Sequence, residues 1–330
     1  MESTVVATFR SLLARELTQR GADLGLDPAL VSVEYVLNWG GFVNHSFRAS
    51  DGLIVRHLKL AAEPEARQAL WRWRAVHDLL EHRYHAPRMV GWVTLPETEV
   101  AGPVFQWIDG STPDPIPREL LARILPMVRR LHHDGELRER VGAPDDGATG
   151  TASCADVYRR TFGLRLAEDL RTVAEQQPPF VTAERLAWMR DESEQLSRAV
   201  AGAAAFQEPA DSPTHGDLWS NNLLLTPAGE WFVLDWDDLA LGDPALDLAM
   251  LLGPSPRRVR QADARDAGDL APPLRERLEL YARATLLDWA VDSLADYIDA
   301  DASPEHRDRV RAEKERVHRE AVRAYEERYG

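Results

Sequence analysis

Residues 214–237 constrain this chain more than any other stretch. They begin Thr214-His215-Gly216-Asp217-Leu218-Trp219-Ser220-Asn221-Asn222 and end Trp231-Phe232-Val233-Leu234-Asp235-Trp236-Asp237. Apolar runs at 223–225 and 231–234 flank the turn Thr226-Pro227-Ala228-Gly229, which reads as two short strands joined at a reversal. An Asp is thus followed by an Asn five residues later, and by a second Asp thirteen beyond that at the end of a strand. Strand pairing would carry Asn222 and Asp235 to neighbouring positions, with Asp217 set back on the loop before them.

A side-chain amide and a carboxylate are hard oxygen donors, which suit Mg2+, a cation that takes few of its ligands from protein. A further carboxylate within reach of a hydroxyl accepts or orients its proton. These are the parts that phosphoryl transfer asks of a protein, since its work there is placement and charge stabilisation. His-Gly-Asp by itself would be an ordinary turn; the spacing and the strand context give it chemical meaning.

The segment resembles the catalytic region of the aminoglycoside phosphotransferase and choline kinase-like family, small-molecule kinases with a His-Gly-Asp-x-x-x-x-Asn loop and an Ile-Asp-Trp-type metal Asp. Gly242-Asp243-Pro244-Ala245-Leu246-Asp247-Leu248-Ala249 is similar to the family's Gly-Asp-Pro…Asp-Leu-Ala stretch. The resemblance covers 214–250 closely and the first hundred residues more loosely. It implies an α/β (α+β), protein kinase-like bilobal fold with a β-rich N-lobe and a mainly helical C-lobe. It also implies that Asp217 is the catalytic base, that Asn222 and Asp235 are metal ligands, and that the cofactors are ATP (or GTP) and Mg2+. Asp243 and Asp247 are expected to cap and order loops, because Asp favours helix starts.

The rest of the chain fits two lobes. At 330 residues it is long enough for two domains. Residues 31–60 alternate like strands, with Asp51-Gly52 as a hairpin turn, and Pro64 opens a helix with Ala69, Trp73, Val76 and Leu80 on its apolar face. Further strands are expected near 89–93 and 99–107. From 118 the pattern turns helical, with Pro126 inside the first helix and helices over 154–177 and 182–206. The expected division is 1–105 for a nucleotide-binding lobe and 106–330 for a catalytic and substrate-binding lobe. An amphipathic N-terminal helix (Val5, Phe9, Leu12, Leu13, Leu17) and a solvated charged helix over 304–328 complete the reading.

In the N-lobe, the resemblance assigns Gly40, Gly41, Asn44 and Ser46 to a hairpin loop over the phosphates, glycine permitting close backbone approach. Lys59 is the candidate for the α/β-phosphate oxygens. Of 39 basic residues only Lys59 and Lys314 are lysines, so a lysine inside a strand pattern draws notice. Arg56 competes but falls on the opposite strand face. Glu65, a helical step before Ala69, is the expected carboxylate partner of Lys59. The connection through Gln106, Trp107 and Ile108 resembles the family's hinge, whose backbone groups would hydrogen-bond adenine.

Net charge is 39 − 54 = −15, which argues against nucleic acid or an anionic membrane as partner and favours a neutral or cationic small molecule. Between 284 and 302 stand five Asp and no basic residue; Asp288, Asp292 and Asp296 are the candidates for substrate ammonium groups. One cysteine, Cys154, permits no internal disulfide and fits a cytoplasmic protein, and no run approaches the length of a membrane span. The expected reaction is phosphorylation of a hydroxyl on an aminoglycoside or other cationic antibiotic. The alternatives are a metabolic kinase of the fructosamine, choline or homoserine kinase type, and a nucleotide-binding pseudoenzyme, against which the intact Asp/Asn/Asp set argues.

Overall fold

A computed structural model describes residues 4–36, 44–113, 115–142, 152–253, 268–300 and 307–330. The chain opens with α1 (Thr4–Arg20), β1 (Ser32–Val36), β2 (Asn44–Ser50), β3 (Val55–Ala61), α2 (Pro64–Tyr84), β4 (Met89–Thr94) and β5 (Ala101–Gln106). Helices α3 (Arg118–His132), α4 (Gly135–Val141), α5 (Cys154–Tyr158), α6 (Leu164–Glu175) and α7 (Ala183–Gly202) follow. The remainder is β6 (Ser212–Thr214), β7 (Leu223–Leu225), β8 (Trp231–Val233), β9 (Ala240–Gly242), α8 (Pro244–Leu252), α9 (Pro272–Asp299) and α10 (Arg307–Tyr329). None of the described helices is long and apolar enough to cross a membrane.

Two compact units emerge. The first holds Met1–Pro113, Gly135–Val141 and Asn221–Leu239; the second holds Asp114–Asp134, Gly142–Ser220 and Ala240–Gly330. The first unit therefore runs past residue 105 and takes back the β7–β8 hairpin. The reason is local: Ser111 and Leu225 exchange backbone hydrogen bonds of 3.0 and 2.9 Å, and the Val233 amide donates to the His85 carbonyl.

The first unit is built on an antiparallel sheet in the order β1-β2-β3-β5-β4. Alternation along β3 sends Leu58 and Leu60 into a core with Leu13 and Leu17 of α1 and Phe47 of β2. His57 and Lys59 therefore occupy the other face, where Trp73 of α2 and Phe105 of β5 lie with ring centroids 4.6 Å apart. Gly102 is required beside them, because a Cβ there would meet the Lys59 carbonyl oxygen at 1.8 Å. The β2–β3 hairpin turns at Asp51-Gly52 as the sequence pattern predicts, with the Asp51 carboxylate accepting from the Leu53 and Ile54 amides. In α1 the expected face holds, with Leu13 and Leu17 buried and Phe9 and Leu12 packed against the core, except that Val6 is buried in place of Val5, which is 53% exposed.

The second unit is mainly helical. Helix α3 spans the residues its periodicity predicts, Pro126 included. A π turn over Arg159–Gly163 joins α5 to α6. The charged C-terminal helix is more than a solvated face: His318, Ala321, Val322, Ala324 and Tyr325 are buried, and the Arg283 guanidinium of α9 donates to the Tyr325 hydroxyl. Helix α9 is buried over most of its circumference, enclosing Tyr281, Leu286, Leu287, Val291 and Leu294 together with the charged Arg277 and Asp288.

Candidate active site

In the first unit the structure brings Asp235, and with it Asp237, onto Lys59. Its side chain is only 10% exposed, yet its ammonium donates to Asp235 Oδ1 and lies 2.7 Å from Asp237 Oδ2. Burial alone would depress the Lys59 pKa; the charges of Asp235 and then Asp237 overcome it and hold the pKa above the usual lysine value. Burial pushes Asp237 the other way, up to about 6, against the pull of Lys59. His57, two residues along the same face, is driven down to about 4 by burial and by the neighbouring ammonium.

The backbone aims these carboxylates. Asp235 sits at φ +60°, ψ +60°, a left-handed conformation that few non-glycine residues adopt and that often marks a functional position. Trp236 follows it fully buried, with its indole N–H donating to the Val233 carbonyl at 2.9 Å. Asn222 precedes β7, and its carbonyl accepts from the Leu234 amide at 2.8 Å, so its backbone pairs with the residue next to Asp235.

The Mg2+ expectation can be tested on donor chemistry. Asn222 and Asp235 offer a side-chain amide oxygen and a carboxylate, donors of the hard type. That set fits Mg2+, which leaves most of its coordination to phosphate and water. Among the described residues, no cluster of three or more His, Cys, Asp or Glu has the arrangement of a metal site.

Other first-unit expectations change. Glu65 is exposed in the first turn of α2, because the buried stripe runs through Ala66, Leu70 and Trp73 and not through Glu65. It therefore does not pair with Lys59. Asn44 is present, but its amide donates to Asp237 Oδ2 at 2.5 Å. Ser46 stands opposite Lys59 in the β2–β3 register. Gly40 and Gly41 lie outside the described residues. The Gln106 and Trp107 amides donate to the Arg88 and Val55 carbonyls, at 3.0 and 3.4 Å, so these two N–H groups are not left for a base; Ile108 is half-buried beyond them. Arg56 is spent on the Leu24 carbonyl.

In the second unit, Asp217 stands on a loop shaped by Gly216 at φ +84°. The fully buried Asp247 carboxylate orders that loop: it accepts from the His215 and Gly216 amides at 2.9 Å each, and from His132 Nε2 at 2.9 Å. Burial acts to raise the Asp247 pKa, but the His132 hydrogen bond and charge and the backbone amide hold it below the usual range. Asp243 caps α8 by accepting from the Ala245 amide and pairs with buried Arg277. Both are the structural roles the sequence suggests.

The acidic stretch of α9 is neither bare nor merely solvated. Asp288 is 4% exposed and ion-paired with Arg165, and Asp296 is paired with Lys314. Burial, with a contribution from Asp292, pushes Asp288 up to about 7 against the pull of Arg165. Asp169 of α6 rises to about 6, from burial and then from Asp292. Asp292 itself is raised by burial and by Asp296. Asp169 was not singled out from the sequence; only its place across from α9 reveals it. Trp219, two residues after Asp217, stacks on Trp289 at 5.0 Å and 11°.

A profile described as the phosphotransferase enzyme family matches residues 34–281. Among solved structures, the GDP complex of an aminoglycoside 2'-phosphotransferase-IIIa is similar, with 14% identity and a TM-score of 0.62 over 95% of this chain and 99% of that one. A microcompartment-associated aminopropanol kinase gives 16% identity and 0.59 over 95% and 98%. Choline kinase from Cryptosporidium parvum gives 14% and 0.56 over 96% and 95%. No curated protein matches the chain.

Proposed function

The chain belongs to the phosphotransferase enzyme family, and from that premise we propose that it transfers the terminal phosphate of Mg2+-bound ATP or GTP to a hydroxyl of an amine-bearing small molecule. One observation carries the reading: a buried lysine shared by two carboxylates, one of them more open and held in a left-handed backbone conformation. Lys59 supplies a fixed positive charge for phosphate oxygens. Asp235 and the Asn222 amide would hold Mg2+, which when bound supplies further positive charge there. Asp217 orients the acceptor hydroxyl and takes its proton as the new oxygen–phosphorus bond forms and the bond to the departing nucleoside diphosphate breaks. Ile108, half-buried in the connection after β5, would meet the base.

For the acceptor, the second unit's carboxylates favour a cation. Arg165 and Lys314 offset Asp288 and Asp296, while Asp292 adds to the burial that raises Asp169 and Asp296 adds to the burial that raises Asp292, so acids crowd one another there. An aminoglycoside or other cationic antibiotic meets that chemistry, and so does a small metabolic amino alcohol. The test is turnover across a panel of neutral and amine-bearing alcohols with ATP and GTP. Amine-bearing acceptors should be preferred, and Asp292→Asn should raise their KM about tenfold without changing that of neutral ones. Equal KM across the panel, unmoved by Asp292→Asn, refutes the cationic acceptor; absence of turnover with every alcohol refutes the reaction.

A further inference from the structure

We propose that Asp237 is the positioning carboxylate of the phosphate-binding lysine, replacing an acid on helix α2. The role assigned to Lys59 rests on the proposed function; the anchoring itself is geometry. None of the buried residues of helix α2, Trp73 among them, is acidic. At the point nearest the lysine it presents a ring: Lys59 Nζ lies 5.9 Å from the Trp73 centroid. A buried ammonium needs an anion close by, and the anions come instead from the turn after β8.

The two aspartates of that turn are not equivalent. The Asp235 side chain is 41% exposed, whereas that of Asp237 is 16% exposed. A single oxygen, Asp237 Oδ2, receives both Lys59 Nζ at 2.7 Å and Asn44 Nδ2 at 2.5 Å. It thereby ties β3 to the first residue of β2, whose neighbour across the ladder two residues on is Lys59 itself. Trp236, locked in the core between the two acids, fixes their separation. With Asp235 as the residue that would hold a divalent cation, Asp237 would remain the partner of the lysine. The division is between an open carboxylate that changes partner and an enclosed one that does not.

The chain's two lysines make this directly measurable. Nucleotide-free protein is treated with an acetylating N-hydroxysuccinimide ester, and acetylation at Lys59 is read by peptide mass spectrometry against Lys314 as internal reference. Asp237→Asn should raise the Lys59:Lys314 ratio about tenfold, well short of losing a whole buried ion pair because Asp235 still holds the ammonium. Asp237→Glu should return it most of the way to wild type, and Asn44→Ser should raise it two- to threefold (roughly the loss of one hydrogen bond). In turnover, Asp237→Asn should raise nucleotide KM more than it lowers kcat, while Asp235→Asn does the reverse. An unchanged ratio in Asp237→Asn, or a larger rise in Asp235→Asn, overturns the assignment. If wild-type protein turned over no alcohol at all, the labelling result would still stand or fall by itself.

Discussion

The two clusters that hold the chain's lysines invert one another. In the first unit the cation is enclosed: Lys59 is buried and its two carboxylates are graded in exposure. In the second unit an anion is enclosed: Asp288 is buried while the Arg165 side chain that meets it is 47% exposed. A buried ammonium flanked by two acids keeps its charge, so the more open acid remains available to a divalent ion. A buried carboxylate with one exposed arginine and more acids nearby does not keep its charge easily, and its pKa climbs to about 7. On the proposed function, enclosing the lysine makes the receptor for phosphate and metal. Enclosing the aspartate yields a surface that gains by taking up positive charge, whether as protons or as an ammonium.

The sharpest way to break this contrast is to remove a reacting carboxylate. Asp235→Ala should lower kcat by at least about a thousandfold, the scale of losing one charge-stabilising group at the reacting centre, and should abolish the Mg2+ dependence of nucleotide binding. Asp217→Ala should lose turnover to a similar extent while Mg2+-dependent nucleotide binding survives. Titration calorimetry with and without Mg2+, beside steady-state kinetics, separates the two. If both variants bind nucleotide alike, the metal does not belong to Asp235.

A smaller effect lies behind the loop. Asp247→Asn turns an amide N–H toward groups that now donate to a carboxylate, leaving His132 or a loop amide without an acceptor. Unfolding in urea should show a loss of about 3 kcal/mol, the cost of breaking a buried charged network, and the surviving folded protein should have reduced kcat. Unchanged stability would mean that the loop is ordered by something other than Asp247.

Much of this was readable beforehand, and the failures share a cause. The Asp217, Asn222 and Asp235 spacing, the β7–β8 reversal, Pro64 as the start of α2 and the extent of α3 are local properties written in consecutive residues. Glu65 failed because a helical stripe is defined to about one residue, 100° of rotation, and Ala66 rather than Glu65 begins the buried one. Asp237 was in plain view after Leu234-Asp235-Trp236, but its lysine lies 178 positions earlier and no periodicity records that pairing. The same holds for Arg165 with Asp288 and Lys314 with Asp296: a charge run can be counted along the chain, its counter-ions cannot. The C-terminal helix misled for a related reason, since its few apolar residues are aligned on the side that α9 covers.

The smallest expected effect tests the inversion itself through pH. Asp288 and Asp169 have folded-state pKa values raised to about 7 and about 6 from a usual 3.8. For such groups the stabilising contribution is fully present below about pH 4 and is lost as pH rises through the folded value, because the folded state then binds more protons than the unfolded one. His57, lowered to about 4 from 6.5, runs the other way, contributing above 6.5 and losing its contribution as pH falls toward 4. His57 and the second-unit acids therefore respond to mild acid with opposite sign, Asp237 of the first unit, also raised to about 6, responds as those acids do, and the wild-type profile alone mixes them. Asp288→Asn separates the terms, since an amide mimics the protonated acid at every pH. Measured by thermal unfolding from pH 8 to pH 5, the wild type should gain on the variant as pH falls, by at most about 1.4 kcal/mol per pH unit for the one titrating group. Arg165 opposes the gain while Asp292 and Asp169 enlarge it, so a flat or reversed difference would show that Arg165 fully offsets Asp288 and that the second cluster carries no surplus negative charge.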